Sequence, residues 1–180
     1  MKKLLVLTAV LAPALASAAG LLGTTVDVRY HYDNGTALNT LDTVLVGAGA
    51  ELTCPGTAQI CQILTSPTQT VDIGDSSIRY DYTGLGSGFD NIAVNQFDFQ
   101  SLFSGAVITG VQLTTNIAGL DASRLSFAAH SVQLDMRNLG LGPQAFFQLD
   151  LQTAPVPEPA STTLLLLGAG ALWAARRYRQ

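Results

Sequence analysis

The only two thiols of the chain, Cys54 and Cys61, flank the stretch Pro55-Gly56-Thr57-Ala58-Gln59-Ile60. Redox-active pairs favour Cys-x-x-Cys spacing, and a structural zinc site asks for more ligands than two thiols; neither requirement is met. In an oxidising compartment thiols this close pair with each other. The spacing therefore predicts a local disulfide across a Gly/Pro loop, contributing about 2 kcal/mol by the chain-entropy argument. His31 and His130 are the only histidines. Each sits beside aromatic or small residues in a predicted strand, and two histidines alone make a poor metal site. Serine, histidine and aspartate are all present, yet nothing nearby marks one serine as a nucleophile.

The carboxylates give more to weigh. Between residues 19 and 154 there are eleven aspartates and one glutamate, Glu51. A glycosidase needs two such groups held close with divergent acidities. Asp27, Asp81, Asp98 and Asp135 alternate with apolar neighbours, which places them on a solvated sheet face. Asp33-Asn34-Gly35 and Asp72-Ile73-Gly74-Asp75 put oxygen ligands in tight turns, an arrangement that suits calcium. Asp33, Asp72 and Asp75 are equally at home there for conformational reasons alone. No other cofactor is expected. Gly84-Leu85-Gly86-Ser87-Gly88 lacks a following helix and a phosphate-binding lysine, so it reads as an inter-strand turn. Tyr30, Tyr32, Tyr80 and Tyr82 offer either rings for stacking on sugars or a half-buried strand face.

The elements that must position these residues are strands. In Thr25–Tyr32, Val26, Val28, Tyr30 and Tyr32 fall on one face, and Ser77–Tyr82 repeats the pattern with Ile78, Tyr80 and Tyr82. Period-two alternation also marks Thr70–Ile73, Ile92–Phe99, Val107–Thr114, Leu125–Ala129, Val132–Met136 and Phe146–Leu151. Gly, Asn and Asp clusters punctuate them, among them Gly74-Asp75-Ser76 and Asn138-Leu139-Gly140-Leu141-Gly142. No segment sustains a helical pattern for three turns. The expectation is an all-β fold, one β-sandwich or jelly-roll-like domain over residues 19–154.

Both ends differ from this centre. The chain has 180 residues, 48% hydrophobic but only 12% charged, with a net charge of −4. That balance argues against a nucleic-acid partner, which needs a basic face. The central region holds no lysine and four arginines, and its twelve acids leave it near −8. Met1-Lys2-Lys3, an apolar run from Leu4 to Leu15 and Ala16-Ser17-Ala18 make up the three parts of a secretory signal peptide. Signal peptidase is expected to cut after Ala18, so that 1–18 is removed; Ala16 and Ala19 are neighbouring alternatives.

At the other end, Pro155-Val156-Pro157-Glu158-Pro159 leads into an apolar run and the sequence closes on Arg176-Arg177-Tyr178-Arg179-Gln180. Prolines keep the spacer from being helical. A helix over about 160–175 rises about 24 Å, short of a hydrocarbon core of about 30 Å, so local thinning or snorkelling arginines have to help. Arginines after the span favour a cytoplasmic C-terminus.

This tail resembles the PEP-CTERM sorting signal of exported Gram-negative proteins. The matching residues are Val156, Pro157, Glu158 and Pro159, the apolar segment ending Gly168-Ala169-Gly170-Ala171-Leu172-Trp173, and Arg176 with Arg177. The resemblance covers residues 155–180. It implies exosortase, a membrane cysteine transpeptidase, as partner, with processing near Pro157-Glu158-Pro159. It further implies an inner-membrane intermediate, delivery to the cell envelope or extracellular matrix, and hosts that make extracellular polysaccharide and biofilm. The centre resembles, more loosely, the uncharacterised β-rich domains that often precede this signal. The functional expectation is a non-enzymatic structural or polysaccharide-associated domain. A small exported polysaccharide or peptide hydrolase, or a purely architectural spacer, are the alternatives.

Overall fold

Alternation of apolar and polar residues builds the strands, because successive side chains on a strand point to opposite faces. In β1 (Thr25–Asp33), Val26, Val28 and Tyr30 are buried while Asp27, Arg29 and His31 lie on the other face. The computed structural model describes residues 20–66 and 68–156. The signal-peptide segment 1–18, the segment 160–175 and the motif residues Pro157, Glu158, Pro159, Arg176 and Arg177 lie outside the described residues.

The remaining strands are β2 (Ala37–Leu45), β3 (Leu52–Cys54), β4 (Gln69–Ile73), β5 (Ser77–Tyr82), β6 (Ser87–Gly88) and β7 (Val94–Gln100). They continue with β8 (Ala106–Thr115), β9 (Leu125–Ala128), β10 (Ser131–Asp135), β11 (Gly140–Leu141) and β12 (Ala145–Pro155). Only two short 3-10 turns, Gln59–Gln62 and Ala122–Arg124, interrupt this all-β pattern among the described residues. One five-stranded sheet has the order β2-β1-β7-β10-β9, the other β3-β4-β5-β12-β8, and β6 and β11 form a two-stranded ribbon. Every pairing is antiparallel. Neither large sheet closes into a barrel.

The buried faces of the two sheets meet through aromatic rings. Phe97 of β7 lies 5.5 Å from Tyr80 of β5 and 5.5 Å from Phe147 of β12, centroid to centroid. Tyr30 of β1 meets Phe97 edge-on at 4.7 Å, an orientation favoured by the ring quadrupoles. All four rings are at most 1% exposed.

Cys54 and Cys61 form the expected disulfide, with Cα atoms 5.2 Å apart. A second device, absent from the sequence reading, fixes the same loop. Asp42 of β2 accepts hydrogen bonds from the backbone N–H groups of Gln59 (2.7 Å) and Ile60 (2.8 Å) at the start of the 3-10 turn. A carboxylate at a turn's free N–H groups satisfies donors that would otherwise lack partners. Ile60 is thereby held fully buried.

Two expectations need correction here. His130 is not in a strand; with Ala129 it makes the turn between β9 and β10, where its Nδ1 lies 3.1 Å from the Leu102 carbonyl. Asp98 is not on a solvated face, for it is only 2% exposed. The reason is its place on the middle strand of its sheet, directly between Arg29 of β1 and Gln133 of β10. Its Oδ2 accepts from Gln100 at 2.7 Å and lies 3.5 Å from His31 Nε2. Asp98 Oδ1 and Arg29 Nε are buried without a hydrogen-bond partner among the described residues.

The strand directions give the domain two ends. At one, Leu21 N–H donates to Asp75 O, Val46 N–H to Thr24 O and Leu102 N–H to His130 O. Val156 N–H donates to Gly105 O at 3.3 Å, so the chain leaves the domain at this same end. At the other end lies the Asp33-Asn34-Gly35 turn, which needs the positive φ (+103°) that glycine tolerates at Gly35.

Candidate ligand cleft

A cleft of about 330 Å³ opens between the sheets at the end opposite the chain exit. Six strands and the loops beside them form its walls. β1 contributes Tyr30 and Tyr32, β2 contributes Leu38, and β7 contributes Asn95. The segment Gln62–Ser66 and Gln69 at the start of β4 form the facing wall, and Ser87 to Asp90 with Leu141 close it.

Its polar groups are organised around two buried amides. Asn95 Oδ1 accepts a hydrogen bond from the Tyr30 hydroxyl, and Asn95 Nδ2 donates to the Asp90 carbonyl at 3.2 Å. Gln69 Oε1 accepts from the Tyr80 hydroxyl at 2.5 Å, and its Nε2 donates to Ser66 O at 3.0 Å. Each amide therefore has both ends engaged, as buried polar groups require. Closer to solvent, Tyr32 donates to Asp90 Oδ2 at 2.7 Å, and the Ser66 and Ser87 hydroxyls are 2.7 Å apart.

These bonds bear on ionisation. Burial, reinforced by Tyr80, Tyr32 and Asp90, pushes the Tyr30 phenol well above its ordinary value. Burial likewise raises Tyr80, with Tyr82 and Asp81 adding to it. The hydrogen bond to Asp90 is the chief cause of a raised Tyr32. All three phenols thus stay protonated, as hydrogen-bond donors, across the physiological range. The result is a hydroxyl- and amide-lined recess with Tyr32 and Phe89 as its aromatic surfaces. Among the described residues Asp90 is its only lining carboxylate.

The tyrosines named from sequence divide accordingly. Tyr30, Tyr80 and Tyr82 are at most 2% exposed, so they pack the core and cannot stack on a sugar. Hydrophobic burial won because each is in phase with core positions on a strand whose sheet is covered on that face. Tyr32, at the mouth, remains partly open to solvent. Sequence reasoning missed Asn95 and Gln69, although a signal was there. Asn95 is in phase with Phe97 and Phe99, and Gln69 with Val71 and Ile73. An amide in the core register of a strand has to be met by a partner.

The calcium candidates are not brought together. Asp33 caps its own turn by accepting from Gly35 N–H at 2.9 Å. Asp75 lies at the opposite end, accepting from Leu22 N–H at 3.3 Å, and Asp72 stands across from Arg79 on β5. No group of three or more histidine, cysteine or acidic side chains gathers among the described residues. Nor is any helix among them long and apolar enough to cross a membrane.

The described part is thus an all-β domain whose last strand runs directly into the C-terminal tail. Residues 155–180 match the PEP-CTERM protein-sorting motif. The match begins at Pro155, the final residue of β12. The motif implies an exported protein, anchored in a membrane by its C-terminus until exosortase processes it. No curated protein and no solved structure gives a significant match. Replacing Pro157, Glu158 and Pro159 with alanine is expected to leave the unprocessed chain in the membrane fraction of a host that has exosortase. Fractionation and intact mass check this, and an unchanged mass and distribution would refute it.

Proposed function

We propose that the protein is a non-enzymatic component of the cell envelope or extracellular matrix of a Gram-negative bacterium, whose β-sandwich binds neutral extracellular polysaccharide in the cleft. The observation that carries the reading is the lining near solvent: the Ser66 and Ser87 hydroxyls and the Tyr32 ring, braced from behind by the buried amides of Asn95 and Gln69, with Asp90 the one carboxylate among the described residues. Sugars are recognised by such fixed polar groups, while aromatic faces pack against their C–H surfaces. A domain charge near −8 disfavours anionic polymers and leaves neutral ones. Hydrolysis of a glycosidic bond would call for a second carboxylate about 5 to 9.5 Å from the first. Among the described residues Asp90 is the sole lining acid, which supports binding over cleavage. The reading invokes no cofactor.

The test is retention of the protein by neutral polysaccharides, in a glycan array and in pull-downs. Binding is expected, and Tyr32→Ala is expected to weaken it by roughly tenfold through loss of one aromatic contact. Tyr32 is partly exposed, so the variant should keep its fold. The sugar-binding reading fails if no neutral glycan retains the protein, or if Tyr32→Ala binds as well as the parent.

A further inference from the structure

Seven large apolar side chains are exposed among the described residues, and four of them belong to the end from which the tail leaves. They occupy its two opposite corners. Leu22 (56% exposed) and Leu45 (67%) flank the start of β1 and the end of β2, where Gly23 N–H donates to Val46 O. Phe127 (47%) and Val156 (43%) lie on the far side, beside the Ala129–His130 turn and the end of β12. The loop that leads from the Leu45 corner to β3 contains the small apolar run Gly47-Ala48-Gly49-Ala50.

The charged side chains at this end are carboxylates: Asp27 accepts from the Thr43 and Ser101 hydroxyls, Asp150 from Gln148 Nε2, and Asp72 stands across from Arg79. Glu51 accepts from the backbone N–H groups of Gly47 (2.9 Å) and Ile73 (2.6 Å), and Asp75 from that of Leu22. The opposite end carries Asp33, Asp90, Asp121 and Asp135 together with the cations Arg124 and Arg137.

Chain length brings this end to a membrane. Only Pro157, Glu158 and Pro159 separate Val156 from the apolar segment that begins near residue 160. Three residues span at most about 10 Å even when fully extended. The polar layer of a bilayer is about 5–8 Å deep on each side. Once the tail is inserted, the exit end is held within a few ångströms of the headgroups, at a high effective concentration.

We propose that in the anchored protein the exit end rests on the lipid surface, with Leu22, Leu45, Phe127 and Val156 dipping into the interface and the cleft directed away from the membrane. The occupant of this surface is phospholipid, and the contact needs no basic residues because the covalent tail supplies the proximity. The inference depends on the anchoring tail and is independent of whether the cleft takes a sugar.

The two cysteines of the chain are joined to each other, so a single introduced cysteine can be labelled selectively. The full chain is reconstituted through its tail into phosphatidylcholine vesicles containing lipids spin-labelled near the headgroup. A fluorophore at Leu45→Cys or Phe127→Cys is expected to be quenched several-fold more than one at Leu85→Cys, which is 96% exposed in a loop of the other end. Leu22→Asp in the Leu45→Cys background should shift the docked-to-free ratio by roughly tenfold, the effect of removing one apolar side chain from the interface. Equal quenching at the two ends, or none at either, would overturn the proposal. So would shielding of the Leu45 label that depends on protein concentration without vesicles, because that assigns the surface to a second copy of the chain.

Discussion

Phe97→Ala is expected to destabilise the domain by about 3–5 kcal/mol, the range for removing a large buried aromatic. The ring is fully buried and lies within 6.3 Å, centroid to centroid, of Tyr30, Tyr80, Phe89, Phe99 and Phe147. Those partners come from both large sheets, so no movement of a single strand fills the space. Against a total stability of about 5–15 kcal/mol for an ordinary domain, the loss is a large fraction. Denaturant unfolding measures it, with Leu85→Ala as the exposed control, expected within about 0.5 kcal/mol of the parent. A Phe97→Ala loss below about 1 kcal/mol would mean that the sheets do not depend on this ring for their contact.

The second large effect is at alkaline pH. In the unfolded chain tyrosine ionises near its ordinary value of 10.0, whereas burial raises both Tyr30 and Tyr80 in the folded protein. Above pH 10 the unfolded chain loses protons that the folded chain keeps. The stability these phenols contribute is therefore fully present below pH 10 and is lost as pH rises beyond it. The loss approaches about 1.4 kcal/mol per pH unit for each tyrosine. Unfolding midpoints measured from pH 8 to 12 should hold level and then fall steeply. Tyr80→Phe should make the fall shallower, although it also lowers stability at neutral pH by leaving Gln69 Oε1 without its donor. An unchanged slope in that variant would remove Tyr80 from the account.

Much of the fold was legible because burial on one face of a strand writes itself as alternation. All eight segments read from that pattern are strands, among them β1, β5 and β7. β2 was not legible. As an edge strand it buries only Thr40, whose hydroxyl accepts from Tyr30 N–H, while Leu38, Leu41 and Leu45 stay exposed. With apolar residues on both faces, Leu38 and Val44 in phase with buried Thr40 and Leu41 and Leu45 on the other side, its pattern says nothing of a sheet. The short strands β6 and β11 lie in glycine-rich stretches that read as turns, because two residues are too few to show a period. The cleft was less legible than the fold. Its residues come from separate elements, and only tertiary pairing places Asn95 beside Tyr30, or Gln69 beside Tyr80. The disulfide, by contrast, depends on two neighbours in one loop, and spacing was enough.

β12 has one further consequence, which is mechanical. It runs between β5 and β8, pairing with the first through Ala145–Asp150 and with the second through Phe147–Pro155. The sorting motif begins at the last residue of this strand. A polymer held at the far end of the domain and an anchor at the near end would pull along the axis of this strand. Its hydrogen bonds on both flanks would then be strained together, in shear, rather than opened one after another as in a peeled edge strand. Tension between such a polymer and the anchor would thus load the interior of the domain, not its edge.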